Sequence, residues 1–122
     1  MEIYVATLFA KPGSEEAVTR FYQDMEPALR TAPGFIDRQI LRARPGTMFE
    51  IVKQHLSEEQ LANSPEPPHP EGVHFVMIER WETAEDRVRF SRSQDKSRAA
   101  SLYPHLLPQH THEFYEDVSP RD

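Results

Sequence analysis

The chain has 122 residues, enough for one domain with one hydrophobic core and too few for two domains of ordinary size. Its 20 acidic and 14 basic side chains give a formal net charge of -6, and no segment concentrates Lys or Arg, so we expect no nucleic-acid partner. Cysteine is absent, which excludes disulfides, thiolate metal ligands and cysteine nucleophiles. No apolar run approaches the roughly 20 residues that span a bilayer, so we expect a soluble cytoplasmic protein without a membrane partner.

A strand followed by a helix is predicted at the start of the chain. Residues 3–10 form an apolar run rich in β-branched and aromatic side chains, and Ser14 is placed to cap a helix. This helix carries an apolar stripe at helical spacing: Val18, Phe21, Tyr22, Met25 and Leu29. Pro27 cannot donate a backbone hydrogen bond, so we expect the helix to bend or loosen between Asp24 and Pro27.

A hairpin and a short helix are predicted next. Residues 35–44 form a mixed strand, and Pro45-Gly46 suits a type II turn, so residues 48–52 are predicted to return as a second strand. Ser57 and Gln60 have the spacing of a capping box, which indicates a single helical turn.

Residues 53–74 are interpreted as a proline-rich insertion between strands, because four of the six residues from 65 to 70 are prolines. Residues 75–81 then predict a strand, and Thr83 predicts a helix that opens at Ala84. We expect this helix to break within the polar stretch of residues 91–98 and to resume up to Pro108. A last strand is predicted over residues 112–118.

Both faces of the predicted sheet carry apolar side chains. In the first strand one face carries Tyr4, Ala6 and Leu8, and the other carries Ile3, Val5 and Phe9. Two helices can cover one face only, so a second copy of the chain is expected to cover the other in a symmetric homodimer. The alternative is that residues 48–63 of the same chain fold over the open face.

Three segments give the chain its resemblance to a known family: Lys11-Pro12-Gly13, Pro33-Gly34-Phe35-Ile36 and Trp81-Glu82-Thr83. Their order resembles the antibiotic biosynthesis monooxygenase (ABM) family. The resemblance implies one α+β domain over residues 1–122, with a ferredoxin-like antiparallel sheet and two helices on one face. It also implies that two such domains pair into a dimeric α+β barrel.

The resemblance further implies an activity. Quinone-forming members are cofactor-independent monooxygenases that act on a small aromatic or quinol compound, with dioxygen reacting at a substrate carbanion. A Trp at the strand end lines their pocket, so Trp81 is the expected catalytic residue, supplying an aromatic wall and an indole N–H donor. The alternative is that Trp81 is a core residue. The residues expected to contact the substrate are Tyr22, Met77, Phe90 and Tyr103.

Several positions depart from the family pattern. Met77, Arg87 and Ser101 stand where quinone-forming members carry Asn, Tyr and Arg, and Ala100 stands where the haem-degrading branch carries its iron-ligating His. We therefore expect neither haem nor any other cofactor. The missing polar residues keep a second class open, a non-catalytic small-molecule-binding or structural dimer of the same fold.

The histidines near the end of the chain allow a metal hypothesis. His110 and His112 share one face of the predicted last strand, His105 precedes them and Glu113 follows. Pro108 interrupts the segment, and no carboxylate has the spacing of a known ligand set. We therefore predict no metal site.

Overall fold

Four antiparallel strands form a single sheet in the order β2-β3-β1-β4 in the computed structural model, which describes residues 1–121. The strands are β1 (Glu2–Ala10), β2 (Phe35–Arg42), β3 (Val73–Trp81) and β4 (Leu106–Tyr115). The helices are α1 (Glu15–Asp24), α2 (Glu26–Arg30), α3 (Thr47–Lys53), α4 (Glu58–Ala62), α5 (Ala84–Ser93) and α6 (Lys96–Leu102), and a 3-10 turn spans Tyr103–His105. None of these helices has the length and apolar composition that crossing a membrane requires.

The strand order and the helix placement confirm the predicted ferredoxin-like α+β architecture. β1 lies in the centre, where Ala6 pairs with Met77 of β3 on one side and with His112 of β4 on the other. Helices α1, α2, α5 and α6 cover one face, which we call the helix face. Its buried side chains include Leu8, Phe75 and Trp81.

The opposite face of the sheet, which we call the open face, has little cover. Alternation along the strands places Ile78 of β3 on this face. Leu41 of β2 and Tyr115 of β4, on the two edge strands, lie on the same face and are 45% and 51% exposed. α3 and the proline-rich loop reach Phe9 and His74 at one end of this face only. The predicted two-sided apolar sheet is therefore present, and the homodimer stays a prediction.

Local signals located most helix ends correctly. α1 ends at Asp24 and α2 begins at Glu26, so the predicted break before Pro27 is confirmed. The Thr83 side chain accepts from Asp86 N, and Ser57 with Gln60 forms the full capping box. The break between α5 and α6 falls inside the predicted polar stretch.

One predicted element is wrong, and another has different bounds. The segment predicted as a returning strand, residues 48–52, lies in α3, because the turn at Gly46 (φ 79°) continues into a helical bond from Glu50 N to Gly46 O (2.9 Å). The last strand, predicted over residues 112–118, runs over Leu106–Tyr115, and the helix predicted to continue up to Pro108 ends at Leu102. The strand contains Pro108, which an edge strand tolerates because it needs no ladder donor on its outer side. Ser14 precedes α1 without a side-chain cap; its hydroxyl pairs with His105 Nδ1 at 3.0 Å.

Candidate functional site

A cavity of about 580 Å³ lies between the helix face of the sheet and helices α1 and α6; we call it the inner cavity. Alternation along β1 and β3 directs Tyr4, Met77 and Glu79 toward it, and α1 contributes Tyr22. Tyr103 and the β4 histidines complete the wall. Most of the wall is apolar, so the few polar groups in it determine what chemistry the cavity supports.

Glu79 is the acidic side chain of this wall, and it is only 4% exposed. Its Oε1 accepts two hydrogen bonds, from Trp81 Nε1 at 2.8 Å and from Arg87 Nε at 2.7 Å. Within residues 1–121 no group donates to its Oε2. The carboxylate is thus fixed through one oxygen, and the other is an acceptor available to a molecule in the cavity.

Arg87, from α5, compensates the buried charge of Glu79. Its guanidinium lies 4.4 Å from the centroid of the Tyr4 ring and also donates to the Ser91 hydroxyl. A buried carboxylate without such a partner would be strongly destabilising. The ion pair therefore allows a carboxylate to remain in an otherwise apolar wall.

A second buried cation supports the wall from β2. The Arg38 side chain has no exposed surface and lies opposite Glu79 in the β2–β3 register. It donates to the Tyr22 carbonyl at 2.6 Å and to Glu26 Oε2 at 2.8 Å. Since Tyr22 lies just before the break between α1 and α2, Arg38 fixes the backbone that carries the Tyr22 ring.

Two tyrosines supply hydroxyl groups that remain protonated. Burial raises the pKa of Tyr22 to about 12, and burial also raises the pKa of Tyr4 although the nearby Arg87 acts in the opposite direction. Both hydroxyls are therefore neutral at physiological pH. They can donate a hydrogen bond to an oxygen that becomes negatively charged.

The raised pKa of Tyr22 predicts a loss of stability in alkali. Above pH 10 the unfolded chain releases this proton while the folded chain keeps it up to about pH 12, so the Tyr22 contribution is complete below pH 10 and is lost between pH 10 and 12. The full effect is about 2 to 3 kcal/mol in the free energy of unfolding. Urea titrations of wild type and Tyr22→Phe at pH 8, 10 and 11.5 measure it. The difference in the free energy of unfolding between wild type and Tyr22→Phe should change between pH 10 and 11.5. A difference that is equal at all three pH values would contradict the raised pKa of Tyr22.

The predicted site residues fall into two groups. Tyr22, Met77 and Tyr103 line the inner cavity. Trp81 and Phe90 lie behind its wall in a separate buried cluster, with ring centroids 5.7 Å apart, and Trp81 has no exposed surface. Trp81 is therefore joined to the inner cavity through its hydrogen bond to Glu79.

Sequence reasoning missed Glu79 and its bond to Trp81. The signal was the alternation along β3, because Phe75, Met77 and Trp81 share one phase and Glu79 stands between them on the buried face. An acidic residue at a core position in this phase needs a partner and is a candidate functional group.

The histidines are only partly brought together. The rings of His110 and His112 stack on one face of β4 at the wall of the inner cavity, with centroids 6.2 Å apart. His105 is bonded to Ser14, and Glu113 belongs to the opposite face of β4. Among residues 1–121 no three His, Asp or Glu side chains converge as a metal-ligand group.

Solved structures share this fold over nearly the whole chain. An antibiotic biosynthesis monooxygenase superposes with a TM-score of 0.63 at 16% identity, covering 98% of this chain and 100% of that one. SnoaB, a cofactor-independent oxygenase from Streptomyces nogalater, superposes with a TM-score of 0.61 at 14% identity, covering 98% of this chain and 95% of that one. PA3566 from Pseudomonas aeruginosa superposes with a TM-score of 0.63 at 18% identity, covering 97% of this chain and 94% of that one.

Sequence comparison gives no corresponding match: no protein-family model and no curated protein sequence matches the chain. The likeness therefore lies in the order, pairing and packing of the strands and helices, as the ABM resemblance implied. The chain has the α+β fold of the antibiotic biosynthesis monooxygenases.

Proposed function

We propose that the protein is a cofactor-independent oxygenase that oxidises a small, flat aromatic compound of the quinol or anthrone type in the inner cavity. The observation that carries the proposal is Glu79, a buried carboxylate whose Oε2 is free at an apolar wall. The volume of about 580 Å³ lies within the range of small-molecule sites. The oxygenase activity named for SnoaB, which has the same fold, adds support.

Glu79 acts as the general base. Its Oε2 accepts a proton from an activated C–H group of the substrate, which leaves a carbanion delocalised onto the neighbouring substrate oxygen. Arg87 and Trp81 hold Oε1, so the carboxylate need not reorient when the substrate enters. Trp81 is accordingly a positioning residue, acting through Glu79.

Tyr22 stabilises the charge that forms. Its protonated hydroxyl donates to the substrate oxygen that bears the negative charge, in a cavity whose apolar wall, including Met77, keeps water away. Tyr103, which is 66% exposed, lies at the entrance and contacts the outer edge of the substrate. The result is a deprotonated, electron-rich ring system that is able to reduce dioxygen.

Dioxygen then takes electrons from the carbanion and forms a carbon–oxygen bond. The peroxide product takes up the proton held by Glu79, and loss of water leaves a ketone. For an anthrone-type substrate, the methylene group and one molecule of dioxygen thus give a ketone carbonyl and one molecule of water. The carbon is oxidised by four electrons and dioxygen, the co-reactant, is reduced by four.

Oxygen uptake with anthrone as substrate tests the proposal. After dialysis against a chelator, the protein should accelerate oxygen uptake and anthraquinone formation over the rate in buffer, with saturation by anthrone. Binding of anthrone, detected by quenching of the Trp81 emission, without any acceleration would instead support the non-catalytic binding class. If anthrone is not bound and its oxidation is not accelerated, the proposed substrate class is excluded.

We also propose that the working form is a homodimer in which the open face of one copy covers that of the other. The partly exposed apolar side chains of this face, among them Ile78 and Leu41, support this arrangement. Light scattering during gel filtration should give twice the chain mass of 14.2 kDa. Ile78→Lys should give a monomer, whereas Val88→Lys on α5 should remain dimeric; a monomeric wild type would contradict the arrangement.

A further inference from the structure

A second cavity, of about 600 Å³, lies at one end of the open face; we call it the outer cavity. Its walls come from the ends of β1 and β3, from α3 and from the proline-rich loop. It shares no lining residue with the inner cavity, because Phe9 and His74 direct their side chains to the opposite side of the sheet from Leu8 and Phe75. The outer cavity is thus a separate compartment.

The lining of the outer cavity is mainly apolar. The rings of Phe9 and His74 stack with centroids 4.5 Å apart and an interplanar angle of 16°. Phe49 and Val52 of α3 and prolines 67, 68 and 70 of the loop also belong to the lining. Proline restricts the backbone, which lowers the ordering cost of the loop when a ligand binds. The stacked pair offers a flat surface to a planar ring system.

One cation in the lining of the outer cavity has no ion-pair partner. The acidic group of the lining, Glu66, is bonded through Oε1 to His69 Nε2 at 2.9 Å and makes no ion pair with Arg44. Arg44 lines the same cavity and makes no ion pair within residues 1–121. A guanidinium binds a carboxylate through two parallel hydrogen bonds. An anionic group on the ligand would therefore be held by Arg44.

We infer that the outer cavity is a binding site for a small aromatic carboxylate, whose ring lies on the Phe9–His74 pair and whose carboxylate pairs with Arg44. The inference does not depend on the oxygenase proposal, since the residues concerned lie outside the inner cavity. It gives the proline-rich insertion a role, because this segment and α3 build the compartment. The chain then has two small-molecule sites of similar size.

Titration of isotope-labelled protein with 1-naphthoate, followed by two-dimensional amide NMR, tests the inference. The perturbed amides should lie at Phe9 and within residues 43–53 and 66–74. The neutral analogue 1-naphthylmethanol should bind more weakly to the same residues. Arg44→Gln should weaken naphthoate binding roughly tenfold and leave the alcohol unchanged. Arg92→Gln, an exposed charge removal on α5, is the matched control and should bind both ligands as the wild type does.

Other outcomes would overturn the inference. Equal affinity of Arg44→Gln and Arg92→Gln for naphthoate would remove the role of the guanidinium. Perturbed amides around Tyr22 and Met77 would assign the ligand to the inner cavity. If Phe49 contacts a second copy of the chain and naphthoate leaves these contacts unchanged, the outer cavity is part of the dimer interface instead of a ligand site.

Discussion

Glu79→Gln should lower the rate of anthrone oxidation by about 100- to 10,000-fold, the range that general-base catalysis contributes. The amide has nearly the size of the carboxylate, and its oxygen can still accept from Trp81 Nε1 and Arg87 Nε. It has no basic site for the substrate proton. Steady-state oxygen uptake measures the decrease in rate. The decrease should appear in kcat, with little change in KM, because the apolar wall still binds the substrate.

Glu82→Gln is the matched control for this experiment. Glu82 follows β3 directly, carries the same charge and is exposed. Its variant should oxidise anthrone at the wild-type rate. A Glu79→Gln protein that is folded, binds anthrone and retains full activity would eliminate Glu79 as the base.

Trp81→Ala should lower the free energy of unfolding by about 3 to 5 kcal/mol, a large share of the roughly 5 to 15 kcal/mol that holds a domain folded. Trp81 has no exposed surface and packs against Leu29 and Phe90, so the truncation opens a cavity that the neighbours cannot fill. Urea unfolding followed by circular dichroism measures the change. Tyr103→Ala, which truncates an exposed aromatic side chain, should lower the free energy of unfolding far less. An unfolding midpoint of Trp81→Ala equal to that of the wild type would contradict the burial of Trp81.

The positioning role of Trp81 requires a readout that packing alone would not move. Trp81→Phe keeps most of the ring volume but removes the N–H donor to Glu79 Oε1, so the pH profile of kcat/KM should shift. Phe35→Leu disturbs the packing on the Trp81 ring, whose centroid lies 5.3 Å from that of Phe35, without removing a bond to Glu79; it should lower stability while leaving the profile in place. Identical profiles for the two variants would reduce Trp81 to a packing residue.

The parts of the fold that the sequence predicted correctly are those governed by local rules. The start of α5 follows from Thr83 and Asp86, and the gap between α1 and α2 follows from Pro27, since both effects act within one helical turn. The wrong prediction of a strand over residues 48–52, which lie in α3, has a local cause as well. A Pro-Gly turn leads equally into a strand or a helix, and the spacing of Met48, Ile51 and Val52 was the helical signal that should have decided.

The phase of Trp81 on β3 could be read from the alternation, but the residues that bury it could not. Leu29 of α2 and Phe90 of α5 meet over the end of β3, and contacts between segments that are distant in the chain are not part of the pattern around residue 81. The same holds for Glu79, because its phase on β3 was readable and its partners were not. Arg87 reaches it from a separate helix, so the ion pair required the structure.

In the proposed mechanism, the reacting carbon lies against Oε2 of Glu79. A crystal structure of the protein with anthrone bound under strictly anaerobic conditions tests this placement directly. We predict the anthrone rings between Tyr22 and Met77, with the methylene carbon about 3 to 3.5 Å from Oε2. Anthrone bound elsewhere, or in the inner cavity with its methylene directed away from Glu79, would contradict the account.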